Sequence, residues 1–306
     1  MALFQNRRSA AELDALVEYL PEAVIDRLLE RRKAKRREAA EQAQQQQVGA
    51  AAAEPGGGAA NEGEDSELSF DELVALSQPA DLALDAFACR GVVNAPPRAA
   101  AVLSSLMLAP GRFLTRFSVV AQSGEEMVLT VDLQLQESLQ PKYRGLQVVK
   151  KWFLKGITGE AACPGDLPSK PEPCWGPEAV VMAQLEALQA GDASGVFRFA
   201  SPSNQAATGP VERFAGMLET DPFRPLLRHL SAEVLRTVQM TADNTWLIVG
   251  VRSNIPTDEP GITQRVVYSW SVRLQEPGAG PLCSCWMTEA VQPDGQSRTL
   301  CVSSGT

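Results

Sequence analysis

The stretch WGPEAVVMAQLEALQAGDASGVFRFASP (residues 175–202), with the strand-like segments that follow it as far as Val291, decides the fold. Gly176-Pro177-Glu178 is a helix start, with proline at the first helical position and an acid in the electropositive first turn. Val181, Leu185 and Leu188 give that helix a buried face, and Gly191-Asp192 ends it. Val196–Ala200 reads as a second short helix, stopped by Ser201-Pro202. Gly209-Pro210 opens a third, with Glu212 available as a capping acid. There Val211, Phe214, Ala215 and Leu218 recur at helical spacing, and Pro222 and Pro225 close the segment. Strands follow. Val234–Met240 and Trp246–Val251 flank a hairpin-like turn at Thr241–Thr245. Arg265–Leu274 alternates: Val266, Tyr268, Trp270, Val272 and Leu274 share one face, and Arg265, Ser269, Ser271 and Arg273, with Val267, share the other. Leu282–Val291 is the last strand, with Cys283, Cys285, Met287, Glu289 and Val291 on one side. Helices first and an antiparallel sheet after them define an α+β domain.

Outward from this block, 306 residues leave room for about two domains. The net charge of -9 is uneven. Residues 1–47 carry nine basic and eight acidic side chains, so the acidic excess lies in the rest of the chain. An acidic body lacks the clustered cations that nucleic acid requires. The basic start is followed by Glu12, Asp14, Glu18 and Glu22 rather than an apolar run, so no secretory signal is expected. No apolar run reaches the ~20 residues of a spanning helix; Ala99–Pro110 is about half that. The expectation is an intracellular protein of cytoplasm or chloroplast, with the nucleus open through a basic run described below. Six cysteines without a secretory signal point to free thiols. Their spacings fit no zinc ligand set, since Cys283-Ser-Cys285 is not a Cys-x-x-Cys and the chain has one histidine. No metal and no cofactor is expected.

Residues 1–47 read as a charged helical segment. Ser9 and Glu12 form a capping box, and Leu13, Leu16, Leu20, Val24 and Leu28 make an apolar stripe through residues 9–46, interrupted at Pro21. The stripe is a surface that a partner helix could take. Arg31-Arg32-Lys33-Ala34-Lys35-Arg36-Arg37 reads either as a solvated helix face or as a nuclear-import or RNA contact. Residues 48–66, rich in Ala, Gly and Glu, are expected to be a disordered linker. These Ala and Gln tracts resemble those of a nuclear-encoded protein from a GC-rich green alga. Residues 67–158 read as a small α+β region: a capping box at Ser69 and Glu72 opens a helix running toward Cys89, stopped by Gly91, and a β-meander follows. Its clearest strand is Met127–Leu135, flanked by Phe113–Val120 and Leu146–Leu154. Residues 86–124 hold four arginines and no acid. Pro164, Pro168, Pro171 and Pro173 make residues 159–174 a stiff linker. The main domain is placed at 175–295 and a tail at 296–306.

Within 175–291 the residues resemble a known superfamily. Pro177–Val181 and Gln184–Asp192 look like the first helix of nuclear-transport-factor-2-like domains. Phe197-Arg198-Phe199-Ala200-Ser201-Pro202, then Gly209-Pro210-Val211-Glu212-Arg213-Phe214, and a closing strand like Cys285-Trp286-Met287-Thr288-Glu289, resemble an uncharacterised domain-of-unknown-function family of that superfamily, also called SnoaL-like, in its plant and algal branch. The resemblance implies a cone of helices packed on a strongly curved antiparallel sheet, often dimeric, and it implies no activity.

Enzymes of the wider superfamily use acids, Tyr or His in an apolar mouth, where burial tunes a carboxyl for proton transfer. The corresponding candidates are Glu289, Tyr268 and His229. Tyr268, Trp270, Cys285 and Met287 are candidates for a pocket lining, and Arg198 and Arg213 for an anion site at the third helix. Each has a plainer reading: a solvent-facing Glu289, a core Tyr268, a capping His229, and arginines paired to acids. No triad, Cys/His pair or phosphate loop is present. The first expectation is therefore a non-catalytic interaction module whose sheet forms a homodimer and whose N-terminal helix meets a protein partner. The alternatives are a small-molecule binder or isomerase-like enzyme at the cone mouth, and a nuclear or RNA-associated protein acting through Arg31–Arg37.

Overall fold

The computed structural model describes residues 20, 22–48, 83–142, 145–256 and 262–302. The architecture is α+β. Contacts divide the chain into two compact units, one of residues 1–84, 104–116 and 130–158, the other of residues 85–103, 117–129 and 159–306. The predicted capping boxes at Ser9 and Ser69 and nearly all of the linker 48–66 lie outside the described residues.

The described chain begins with helix α1 (Glu22–Val48). A two-residue strand, β1 (Ala83–Leu84), follows the undescribed segment. Four long strands come next: β2 (Ala99–Ala109), β3 (Arg112–Val120), β4 (Glu126–Lys142) and β5 (Gly145–Ala161). The sheet order is β1-β5-β4-β3-β2. β1 runs parallel to β5, with Ala83 opposite Gly156. A Cβ on Gly156 would lie 2.7 Å from the Ala83 carbonyl oxygen, so this pairing requires glycine. Leu20, Val24 and Leu28 are buried together with Leu84 and Leu154 packed on them. That part of the apolar stripe, offered by the sequence to a partner helix, is thus covered by the chain itself. Lys33, Lys35, Arg36 and Arg37 stay exposed, while Arg32 is buried. The apolar run Ala99–Ala109, to which periodicity assigned nothing, is the edge strand β2, and it exposes Val102, Leu103, Leu106, Met107 and Leu108.

The second unit holds α3 (Pro177–Ala190), α4 (Ala193–Arg198), α5 (Pro202–Thr208) and α6 (Val211–Leu218), the label α2 being kept for a short turn at Ala86–Ala88. An antiparallel sheet follows in simple order: β6 (Ser231–Thr241), β7 (Asn244–Pro256), β8 (Ile262–Leu274) and β9 (Trp286–Val302). The last strand starts at Trp286 rather than Leu282, because Gly280–Leu282 is a 3-10 turn, and it runs on to Val302. The helices end as their residues require. Gly191 takes the left-handed conformation (φ 78°), and its N–H satisfies the last carbonyls of α3. Asp192 and Ser201 cap α4 and α5 through side-chain oxygens.

The core lies between the helices and one face of this sheet. Val180, Val181, Leu185, Leu188, Phe199, Phe214 and Leu218 from the helices meet Leu247, Val249, Tyr268, Trp270, Val272 and Trp286. Register brings Leu247 opposite Trp270 and Val249 opposite Tyr268, so large inward side chains form adjacent rows. Tyr268, Trp270 and Trp286 are at most 1% exposed. Burying an aromatic side chain of this size removes some 150–250 Å² from water, roughly 4–6 kcal/mol of gross apolar stabilisation each.

One polar node is set in this core. Gln184, 2% exposed, donates through Nε2 to the Val196 carbonyl at 3.1 Å. Its Oε1 accepts from Trp270 Nε1 at 3.2 Å and Thr288 Oγ1 at 2.7 Å. The Phe-Ala-Ser-Pro piece has a structural purpose of the same kind. Ser201 N donates to Thr288 O at 2.9 Å and Thr288 N to Phe199 O at 2.8 Å, which joins the helical layer to β9. Replacing Gln184 by Leu strands the Trp270 and Thr288 donors in an apolar core, while the Val196 carbonyl keeps its bond from Phe199 N. The expected loss is about 3 kcal/mol, read as a lower midpoint at unchanged slope in urea unfolding. A loss under ~1 kcal/mol would mean that those groups find other partners.

Candidate functional site

The polar atoms of the second unit converge away from the sheet interior, around Arg90. The segment that carries it is the stretch the sequence read as the end of a long helix. It is a single turn, α2 (Ala86–Ala88), followed by one turn of π-helix, Cys89–Val93. Asp85 fixes it: one carboxyl oxygen accepts from Ala88 N at 2.8 Å, the other from Gly159 N at 2.7 Å. Two glycines let the segment approach its neighbours. A Cβ on Gly159 would fall 2.4 Å from Phe87 Cβ, and one on Gly91 would fall 2.6 Å from Met127 Sδ.

The Arg90 side chain is 2% exposed. Its Nε and Nη2 donate to the two oxygens of Glu125, both at 3.0 Å, in the fork-to-fork arrangement that suits a guanidinium. Nη2 also donates to Glu178 Oε2 at 2.6 Å, and Nη1 to Gln239 Oε1 at 3.2 Å. The guanidinium lies 4.8 Å from the Phe87 ring centroid and 5.9 Å from that of Trp286. Glu125 is held by the turn before β4, where Ala121 N donates to its carbonyl at 2.8 Å. Gly176 is obligatory beside it, since a Cβ there would sit 2.2 Å from Glu125 Oε1. Glu178 comes from the first turn of α3, where the helix dipole favours an acid.

Burial works against the Arg90 charge, but Glu125 and Glu178 outweigh it and hold the guanidinium more firmly protonated than usual. Burial pushes the Glu178 carboxyl above the ordinary carboxylate range, with Arg90 pulling it down and Glu125 adding to the rise. Glu178 Oε1 is buried and has no hydrogen-bond partner among the described residues. The Glu178 side chain is 19% exposed against 1% for Glu125, so it is the member of the cluster that reaches outward.

It reaches a cavity of about 250 Å³, which Glu125, Glu126 and Glu178 line together with Phe87, Trp175 and three alanines, Ala161, Ala162 and Ala179. Cys163 and Cys174 also line it. Glu126 N donates to Cys174 O, while Glu126 O accepts from Ala162 N. Both thiols are free, Cys163 exposed and Cys174 half-buried. Among the described residues no group of His, Cys, Asp and Glu is placed to hold a metal, and no helix is long and apolar enough to cross a membrane.

The residues singled out by the sequence lie elsewhere. Tyr268 donates its hydroxyl to Pro222 O at 2.8 Å and stands edge-on to Trp270 within the core. Cys285 and Met287 are fully buried, and burial raises the Cys285 thiol. His229 is buried with Nδ1 2.9 Å from Leu226 O. Glu289 accepts from Ser203 Oγ at 2.7 Å, tying β9 to α5. Arg198 donates to the Ser169 carbonyl, and the exposed Arg213 lies against Gly209. Sequence reasoning missed Arg90, Glu125 and Glu178 as a group. The signal was present: residues 86–124 hold no acid, so a buried arginine there must find one beyond, and Glu125 is the first. Glu178 was read as a helix-start acid only.

Fold and site together describe an α+β module with a buried ionic cluster at one edge of its helical layer. Residues 177–260, from the first residue of α3 past the end of β7, match the family described as Domain of unknown function (DUF4864). No curated protein and no solved structure matches the chain.

Two measurements probe the cluster. Arg90→Met leaves two carboxyls facing each other without their cation, and the expected loss is about 3–5 kcal/mol in chemical unfolding. The folded chain also keeps the Glu178 proton to higher pH than the unfolded chain does. Its stabilising contribution is complete below the unfolded carboxylate range and falls as pH rises through the folded value. Glu178→Gln is neutral throughout, so its melting temperature should gain on the parent's as pH is raised from about 4.5 to about 8. A parent that gains on the variant over that interval would mean that Arg90 attraction dominates.

Proposed function

We propose that residues 177–302 form a nuclear-transport-factor-2-like module of the plant and algal branch, and that it works by association rather than by catalysis. Its partner is a second copy of the chain, bound through the sheet face opposite the helices. One observation carries this reading: Tyr268, Trp270 and Trp286 fill the inner face of the sheet, whereas Trp246, on the other face, is 42% exposed. Trp246 stands opposite Val238 on β6 and Ser271 on β8. The half-buried Ile248 and Val267 share its face with small residues, Gly250, Ser269 and Ala290. The pairs Arg265–Glu233 and Arg273–Asp243 flank this patch. An exposed aromatic amid small neighbours with a charged surround has the composition of an interface centre. Less supports a ligand in the interior with Glu289 or Tyr268 as acid or base, because aromatic side chains occupy that space.

Sedimentation velocity on the full chain tests the reading. A dimer at micromolar concentration is expected, and Trp246→Glu should convert it to monomer with an unchanged circular dichroism spectrum. A parent that stays monomeric overturns the reading. So does a dimer that Trp246→Glu leaves intact, and it would direct attention to the exposed edge strand β2.

A further inference from the structure

We propose that the cavity walled by Phe87, Ala161, Trp175 and Ala179, with Glu125 and Glu178 at its inner end, binds a small protonated amine carrying a short apolar chain. This stands apart from the association just described, which uses another surface.

Four observations select that class of ligand. First, the cluster sets one guanidinium against two carboxyls. It is short of a positive charge, and an isolated buried carboxylate is expensive. Burial raises the Glu178 carboxyl, and a bound ammonium would supply the missing positive charge. The charged groups around Glu178 are Arg90 from the π-turn and Glu125 and Glu126 from the start of β4, so the surroundings of the cavity are acidic apart from Arg90. An anion is thereby excluded. Second, the Glu178 side chain lines the cavity and is 19% exposed, so its carboxyl is the part of the cluster a ligand can meet. An amine N–H can donate to that carboxyl, whereas a quaternary ammonium has no N–H to give. Third, Phe87 and Trp175 present rings to the same space, as organic cations favour, and the alanines leave apolar room for a few methylenes. Fourth, about 250 Å³ falls below the usual range of drug-sized pockets, which limits the ligand to a small molecule. Cys163 is exposed, so the cavity has a mouth open to solvent.

The test uses the full chain titrated with n-butylammonium by calorimetry, with n-butanol, butyrate and tetramethylammonium as comparisons. Saturable binding at one site per chain is expected, with Kd of about 1 mM or tighter. The comparisons should bind at least about tenfold more weakly. Glu178→Gln should weaken butylammonium by about tenfold or more. Since that variant also alters the ionic cluster, Ala179→Leu serves as a second probe. It fills the cavity and leaves Arg90, Glu125 and Glu178 in place, so it should abolish binding without lowering the melting temperature. Three results would overturn the proposal: no saturable heat with butylammonium, equal affinity for butyrate or butanol, or full affinity retained in both variants.

Discussion

Arg90 cannot give up its charge. A guanidinium stays protonated at any pH a folded protein survives, and with its side chain 2% exposed it cannot be hydrated either. Everything near it follows from that constraint. Glu125 has to present both oxygens, which requires Gly176, because any Cβ there would occupy the carboxylate's place. Helix α3 has to begin where it does, because Glu178 contributes from its first turn. Gln239 on β6 turns its Oε1 to Nη1 while also accepting from Thr245 Oγ1 at 2.8 Å. One arginine thus sets the path of the π-turn, the start of β4, the beginning of the helical layer and one end of the sheet.

The sheet interior obeys a different rule. Its large aromatic side chains lie in adjacent rows, and the one polar residue placed among them by α3, Gln184, has its donor and its acceptor engaged. Those aromatic side chains, at most 1% exposed, pack against one another rather than around a lumen. Among the described residues, the buried side-chain atoms without a hydrogen-bond partner are Glu178 Oε1, Asn244 Oδ1, Arg252 Nε and the indole nitrogen of Trp286.

Much of the architecture could be read from the residues. Glycine and proline punctuation marked α3, α4 and α6, and period-two alternation marked β4 and β8, because those signals are local and each element has one clear buried face; α5 escaped because Ser201-Pro202, its cap and first residue, reads equally as a stop, and it buries no residue. The ends of β9 escaped notice, since Cys283 and Ser284 continue the alternation while the chain still turns. β2 escaped because an uncharged run exposed along most of its length has no period at all. Tyr268, Trp270, Cys285 and Met287 could be assigned to buried positions, but burial did not distinguish a lined pocket from a filled core. The ionic cluster was the least legible part. Its members are separated by 35 and 88 residues, and no spacing rule connects an arginine to acids so far along the chain.

That separation also has a consequence for time. The cluster closes only after distant segments have met, and it joins Arg90 to Gln239 across 149 positions. Loop-closure entropy opposes such contacts until local structure has formed. Interactions completed after the rate-limiting step act on the escape from the native state rather than on the approach to it. Arg90 and its carboxyls are therefore placed to act as a latch: they set how long the folded chain persists far more than how quickly it is reached.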